Sequence, residues 1–404
     1  MHILYLFQSL VLPGAAGNDR PFEFARHWTR AGHRVTFISS NAALPPDSPW
    51  RSRSADPLRI ELEGVEIYLL DVPYAHMMPF WRRVLAFVHF YWRALRLGKS
   101  LSGFDLVMAW SAPLSVGELG RKLARHHKVP FVFEVADVWP DVPIGMGVIR
   151  NRWLIRWLHR RTNRMYREAA LILPFSEGMR DQILAHGVPP EKIEVVHNGA
   201  SLQNIPFIDR QRDNRPVEVI YAGTVGKANG LRQVVEAARR IQAMGRKDIR
   251  FTILGGGNEL RLVQAAAQQA ALDNLRFLGS VSRDEVAAVI ASADMGLVSF
   301  APFPVLEANG ATKFFDYLAS GLPILLNYEG WQAAYLSRYA CGLAAPQGDT
   351  EAYIRNLLRL ADDPDLRRQM GINGRKLAEA HFDRERLAAK VAGLLGRIFL
   401  SESI

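Results

Sequence analysis

Residues 309–323 read Asn-Gly-Ala-Thr-Lys-Phe-Phe-Asp-Tyr-Leu-Ala-Ser-Gly-Leu-Pro and follow an apolar run at 295–300. That order suits anion chemistry. Gly310 lets backbone approach a ligand closely, and Thr312 is placed to cap a helix. A helix starting there directs unpaired N–H groups and its positive end at the preceding loop, where a phosphate fits. Gly321 suits the left-handed C-terminal position and Pro323 blocks continuation. Between these ends stands one carboxylate, Asp316, about one turn inside the helix. A carboxylate acceptor beside an anion-seeking helix start can hold a ribose diol and a diphosphate together. The competing reading is an ordinary capped helix.

Other glycine loops follow strand-like runs. Residues 12–18 contain Gly14 and Gly17 among small neighbours, leaving room for a ligand against backbone. The three-glycine dinucleotide fingerprint is absent and the second strand ends on Ser39, Ser40 and Asn41 without an acid, which argues against a nicotinamide or flavin site. The run 221–231 contains Thr224 and Lys227 between glycines; Lys227 can meet a diphosphate as a point charge. It lacks P-loop spacing and a Ser or Thr after the lysine, which argues against an ATPase. Gly255 opens a further glycine loop at 255–260. Loops at the C-terminal ends of strands in an open α/β sheet face one crevice, so together they outweigh a tight-turn reading of each. Glu134 and Asp137 leave the end of another buried run, where a carboxylate can take a proton from a hydroxyl or orient a sugar; capping the next helix is the equally weighted alternative. The histidines are scattered and show no metal-ligand spacing, so neither metal nor cofactor is expected.

The elements that position these groups alternate. Strand-like runs at 2–7, 34–39, 65–70, 106–109, 131–135, 171–174 and 194–197 fill the first half. Runs at 217–221, 250–254, 275–278, 295–300 and 324–327 fill the second. Amphipathic helices lie between, among them 20–31, 231–244 and 285–292, a pattern that predicts parallel α/β domains. A polar stretch at 201–216 reads as the linker. At 404 residues, the expectation is a first domain over 1–205 and a second over 206–383, facing each other across a cleft. Helices are expected over 363–381 and 384–400. One cysteine, Cys341, excludes a disulfide framework and fits a reducing compartment. The start carries no secretory leader pattern, and no apolar run reaches the ~18 residues of a spanning helix.

The net charge of +10 is concentrated: residues 81–167 hold 16 Lys/Arg against 5 acids. Within that region, residues 80–97 mix Trp81 and Trp92 with Arg82, Arg83, Arg93 and Arg96. Residues 150–167 hold seven arginines and no acid, with Trp153 and Trp157 beside Arg156 and Arg160 at helical spacing. Basic heads and aromatic rings on one helix suit an anionic membrane surface. The alternatives are tryptophans packed inward beneath a solvated arginine face, and nucleic-acid binding, which does not require this aromatic density and is not expected.

These segments resemble the family 4 retaining glycosyltransferases of the GT-B fold, and within them the bacterial capsule and O-antigen branch that includes L-N-acetylfucosamine transferases. The resemblance runs through Gly32-His-Arg-Val35, Glu134-Val-Ala-Asp-Val-Trp-Pro140, Gly187-Val-Pro-Pro-Glu-Lys-Ile193, His197-Asn-Gly199, residues 221–231, Asn274-Leu-Arg-Phe-Leu-Gly279 and residues 312–323. It implies two Rossmann-like domains, the first binding acceptor and the second nucleotide sugar, with the terminal helix 384–404 crossing back to the first. It implies ribose binding by Asp316 and diphosphate binding by Lys227 and by the run Asn309, Gly310, Ala311, Thr312 and Lys313, with the loop of Gly14 and Gly17 against diphosphate and acceptor; Thr224, where the family usually has an arginine, Gly255 and Glu307 are further expected donor-binding residues. Asp137, Glu134 and Lys227 are the expected catalytic groups. The family's second glutamate, eight residues before the ribose-binding one, is Ala308 here, with Glu307 beside it. The implied activity moves a sugar, with retention and without metal, from a UDP-sugar, expected to be a UDP-N-acetylamino sugar, to a polyprenyl-diphosphate-linked glycan. It would act as a peripheral enzyme at the cytoplasmic face of the inner membrane. A soluble acceptor, nucleotide-sugar epimerisation and a non-catalytic binder are the alternatives.

Overall fold

The computed structural model describes residues 1–12, 17–44, 48, 50, 56–74, 78–111, 113–210, 215–281 and 283–402. Gly14 lies outside the described residues. The chain divides into two compact units, one of residues 1–197 with 384–404, the other of residues 198–383.

In the first unit the order is β1 (His2–Leu6), α1 (Arg20–Arg30), β2 (Arg34–Ser40), β3 (Leu58–Leu62), β4 (Val65–Leu70), α2 (Phe80–Ser100), β5 (Leu106–Trp110), α3 (Leu114–His127), β6 (Phe131–Val135), α4 (Asp141–Gly145), α5 (Arg152–Glu168), β7 (Leu171–Pro174) and α6 (Glu177–Ala185). The seven strands lie in the order β3-β4-β2-β1-β5-β6-β7, parallel except for the β3–β4 hairpin. Central strands such as β1, β5 and β6 are buried along their whole length, which is why they read as continuous apolar runs. β3 alternates half-buried and exposed positions at the sheet edge, so its sequence carries no such run. Residues 194–197, expected as a strand, form none. Backbone bonds from Glu194 to Ile172 and from Val196 to Pro174 tie them to β7.

The second unit contains β8 (Val217–Ala222), α7 (Arg232–Ala243), β9 (Ile249–Leu254), α8 (Leu260–Gln269), β10 (Leu275–Gly279), α9 (Arg283–Ser292), β11 (Met295–Val298), α10 (Thr312–Ser320), β12 (Ile324–Leu326), α11 (Trp331–Tyr339), β13 (Gly342–Ala344), α12 (Thr350–Asp362) and α13 (Pro364–His381). Its sheet is wholly parallel, β10-β9-β8-β11-β12-β13. Strand order reverses between β8 and β11, so the loops after those two strands flank the position where open α/β sheets bind ligands.

The last helix, α14 (Arg384–Glu402), belongs to the first unit and packs on α1. Leu387, Ala388, Val391 and Leu395 enter that unit's core, and the indole N–H of Trp28 donates to the carbonyl of Ala388 at 2.8 Å. Arg384, at the start of α14, is buried with Asp19 at 2.9 Å and Glu23 at 2.6 Å. Removing one partner of such a group strands buried charge at a cost of about 3–5 kcal/mol. Arg384→Ala is therefore expected to lower the first thermal transition of the full chain by several degrees, read by calorimetry; an unchanged transition contradicts this account of how α14 is held.

Candidate active site

Two glycine loops in the second unit interlock. Backbone bonds run from Gly223 N to Leu254 O at 2.8 Å, Val225 N to Gly256 O at 2.8 Å and Glu259 N to Val225 O at 3.0 Å. Gly255, in the left-handed half of conformational space, lies so close to Gly223 that a Cβ would strike the Gly223 carbonyl. Loop-to-loop packing thus accounts for Gly255. Thr224 and Lys227 sit on the outer, exposed side of the first loop, Lys227 opening a 3-10 turn that ends at Gly230.

Helix α10 is anchored from beneath. Tyr317 is buried, and its hydroxyl accepts the N–H of Ala222 at 2.8 Å, one residue before the glycine turn. Gly296 makes room for the ring: a Cβ there would collide with it. Lys313 lies one turn earlier on the same helix, and its side chain passes against Gly223, where a Cβ would meet Cε at 2.8 Å. The ammonium lies 4.6 Å from the centroid of the Tyr221 ring. Burial pushes it down to about 8, against the opposing pull of the Asp316 carboxylate. Lys313 drew attention in the sequence only through its backbone; its side chain is a second cation at this loop. Gly223, two residues after Tyr221, leaves the space, but the order of residues does not show that Lys313 fills it.

The helix start differs from expectation. Ala311, not Thr312, is the capping residue, in extended conformation and with no side-chain cap; Thr312 is the first helical residue. A cap without an acceptor leaves the helix's positive end to whatever occupies the loop. Asn198 donates to the carbonyl of Gly310 at 3.2 Å and Trp331 to that of Asn309 at 3.1 Å. Because a peptide unit is planar and trans, holding those carbonyls sets the opposite direction for the N–H groups of Gly310 and Ala311. Gly321 closes the helix in the left-handed conformation.

In the first unit, Glu134 proves to be structural. It is wholly buried, ion-paired with buried Arg20 and hydrogen-bonded by the Tyr5 hydroxyl. Arg20 is sandwiched between the rings of Phe24 and Phe175 at 4.1 and 4.4 Å. A carboxylate so enclosed cannot reach a substrate hydroxyl, which corrects the catalytic expectation for Glu134. Asp137, three residues on, is half-buried in a turn whose backbone is held by the Ser111 hydroxyl, and burial raises its carboxyl to about 6. A base poised near neutrality is what proton transfer needs. Gly17 is described in the left-handed half, packed on Val11.

The basic helices α2 and α5 both pack on α3. Trp81, Trp92, Trp153 and Trp157 are 59, 60, 77 and 51% exposed, which rules out the inward-packed reading. Arg82, Arg96, Arg156 and Arg160 are exposed as well. Arg83 is half-buried, and Arg93 is occupied by Asp56 and the carbonyl of Asp71, so neither belongs with the surface cations. An open cavity lined by Arg121, Arg125, Glu168 and Lys192 sits at the N-terminal ends of β6 and β7. Arg121 is engaged there by Glu118 and Glu168, and Lys192 by backbone carbonyls.

Two family descriptions cover most of the chain: a glycosyl transferase 4-like domain over residues 18–199 and glycosyl transferases group 1 over residues 205–377. This chain belongs to the family 4 glycosyltransferases of the GT-B fold. Among curated relatives it is 24% identical to the amylovoran biosynthesis glycosyltransferase AmsK of Erwinia amylovora, over 58% of this chain and 58% of that protein. The chain thus spans less than two thirds of that relative's length. The fold matches sucrose-phosphate synthase of Thermosynechococcus elongatus with a TM-score of 0.79 at 16% identity, covering 99% of each chain. It matches Anabaena HepE, solved with UDP, with a TM-score of 0.71 at 14% identity over 98% and 100% of the two chains.

In this family 4 glycosyltransferase, Ala308 is buried where the second glutamate is usual. The neighbouring Glu307 is half-buried, and its carboxyl is raised by burial and then by Glu329. The raised Asp137 has a measurable consequence. Between an ordinary aspartate value and about 6, the folded protein holds a proton that the unfolded chain has released, so stability falls as pH rises through that window. Asp137→Asn should therefore raise Tm at neutral pH, with the gain vanishing near about pH 4; an equal Tm at both pH values contradicts the buried-acid account.

Proposed function

We propose that this protein is a retaining glycosyltransferase of surface-polysaccharide synthesis. It moves a sugar from a UDP-linked donor, an N-acetylamino sugar in our reading, to a polyprenyl-diphosphate-linked glycan at the cytoplasmic face of the inner membrane. The observation that carries the donor half is the uncapped start of α10 with the Lys313 ammonium lodged under Gly223: N–H groups and a cation gathered at one strand-end loop. That the HepE structure contains UDP, and that AmsK is named for amylovoran biosynthesis, supports the donor and pathway classes. The exposed Trp/Arg stripes of α2 and α5 support a membrane-borne acceptor over a soluble one.

In this mechanism Asp316 binds the ribose hydroxyls, while Lys227, Lys313 and the N–H groups of residues 310–313 take the diphosphate. They favour the charge that builds there as the glycosidic C–O bond breaks. The acceptor hydroxyl attacks the anomeric carbon from the face the diphosphate leaves, and the departing phosphate oxygen takes its proton. Asp137 is assigned to the acceptor, where its carboxylate takes a hydrogen bond from a second, non-reacting hydroxyl and so orients the sugar. Glu307 is next in sequence to Ala308, the position where the family holds the transferred sugar. The chain's own cations and amides meet the diphosphate charge, so no metal enters these steps.

Lys227→Ala and Lys313→Ala are each expected to lower UDP release at least tenfold, about 1.4 kcal/mol of lost transition-state stabilisation; an unchanged rate removes that lysine from the mechanism. UDP-sugar turnover without acceptor would instead indicate an epimerase.

The profile of kcat/KM against pH should be bell-shaped, with limbs near 6 from Asp137 and near 8 from Lys313. Lys313→Arg should abolish the alkaline limb; persistence of that limb assigns it to another group.

Replacing Trp81, Trp92, Trp153 and Trp157 together by Ser should abolish sedimentation with anionic vesicles while sparing turnover of a short-chain acceptor. Undiminished sedimentation contradicts the membrane reading.

A further inference from the structure

The histidines look scattered in the sequence, yet two of them converge with one carboxylate in the first unit. Asp141 is the first residue of α4, His159 lies in α5, and His186 caps the C-terminus of α6. One Asp141 oxygen is 2.6 Å from Nε2 of His186 and the other is 3.5 Å from Nε2 of His159. The imidazole centroids stand 5.3 Å apart, and the candidate ligand atoms all lie within 4.8 Å of one another. All three residues are half-buried, enclosed enough to be held and open enough for an ion and water to enter.

Both histidines turn the same ring nitrogen toward one carboxylate. Tetrahedral zinc, with bonds of about 2.0–2.2 Å, sets neighbouring ligand atoms about 3.3 Å apart. The separations of 3.5 and 2.6 Å run to the two different oxygens of Asp141, so ligation through one of them needs the carboxylate to rotate and the shorter contact to open by less than ~1 Å. Two imidazoles and a carboxylate are the donor set of zinc and its borderline neighbours; calcium and magnesium prefer all-oxygen sites.

We propose that Asp141, His159 and His186 bind a zinc ion, with water as the fourth ligand. The ion ties α4, which directly follows the Asp137 turn, to the aromatic helix α5 and to α6. It is a structural clip and takes no part in sugar transfer, so its presence and the donor chemistry stand or fall separately.

The test is titration of the chelator-stripped, tag-free full chain with Zn²⁺ alone, by calorimetry. One ion per chain is expected, together with a rise in Tm of about 5–10 °C at ~100-fold excess over Kd. Mg²⁺ should produce neither. Co²⁺ in place of zinc should give the visible absorption of a tetrahedral site. His159→Ala should weaken binding at least tenfold, whereas exposed His126→Ala should not. His186→Gln keeps an amide donor toward Asp141 while removing the imidazole, which guards against a variant that merely misfolds. Absence of saturable Zn²⁺ binding, or full-strength binding by a folded His186→Gln protein, overturns the proposal. UDP release that persists in chelator while Tm falls supports the clip, and an unchanged Tm refutes it.

Discussion

One hydrogen bond organises the second unit: the N–H of Ala222 to the hydroxyl of Tyr317. Pairing between β8 and β11 stops at Ile220, which would leave the last N–H of β8 unmatched in the sheet interior. An unpaired buried donor costs about 1–3 kcal/mol, so the tyrosine that fills the gap is held firmly. Its ring needs the space Gly296 leaves, which fixes where α10 crosses the sheet. Helical geometry then dictates the rest. Lys313, four residues earlier on the same face, falls against Gly223 and Tyr221, and Asp316 is carried at a neighbouring position on the helix. The strand end, the glycine turn, the cation and the carboxylate are thus placed by one contact that touches no ligand.

The first unit shows the same economy with charge. Glu134 and Asp137 leave the same strand three residues apart, and their environments separate them. Glu134 is held by Arg20 and Tyr5 inside the core, where losing Arg20 would strand its charge and losing the Tyr5 hydroxyl would leave one carboxylate oxygen short of a donor. Asp137 sits in the following turn, and burial dominates its titration. Two carboxylates of similar intrinsic acidity come to different roles through what surrounds them.

Much of this was legible in the sequence, for physical reasons. Central parallel strands must be apolar on both faces, so β1, β5, β6, β8 and β11 stood out as runs, and the glycine turns after β8 and β9 marked a ligand-facing edge. Edges were not legible: β3 alternates, β13 has three residues, and 194–197, with Val195 and Val196 at its centre, lies beside the sheet without joining it as a strand. The stop of α10 at Gly321 followed from left-handed geometry that glycine adopts readily. Its start was misplaced by one residue, because Thr312 has a capping side chain while the backbone turns at Ala311. Side-chain paths were the main blind spot. Nothing in the order of residues shows the Lys313 ammonium folding back over Tyr221, or two histidines from α5 and α6 meeting at Asp141.

The aromatic stripe on α2 and α5 bears on what the fold does not need. These helices already have apolar faces for packing: Phe90 and Ala94 in α2, and Met165 and Tyr166 in α5, are buried in the core. Trp81, Leu85, Val88 and Trp92 recur at helical spacing along α2, all exposed, and Trp153 with Trp157 repeats the pattern on α5. Arginines lie over three of these rings, Arg82 on Trp81, Arg156 on Trp153 and Arg161 on Trp157, which keeps cation and aromatic side by side at the surface. Packing would be satisfied by smaller polar residues at every one of these positions. Large rings left in water, aligned along two helices that share α3 as a neighbour and carry most of the chain's excess positive charge, contribute little to folding.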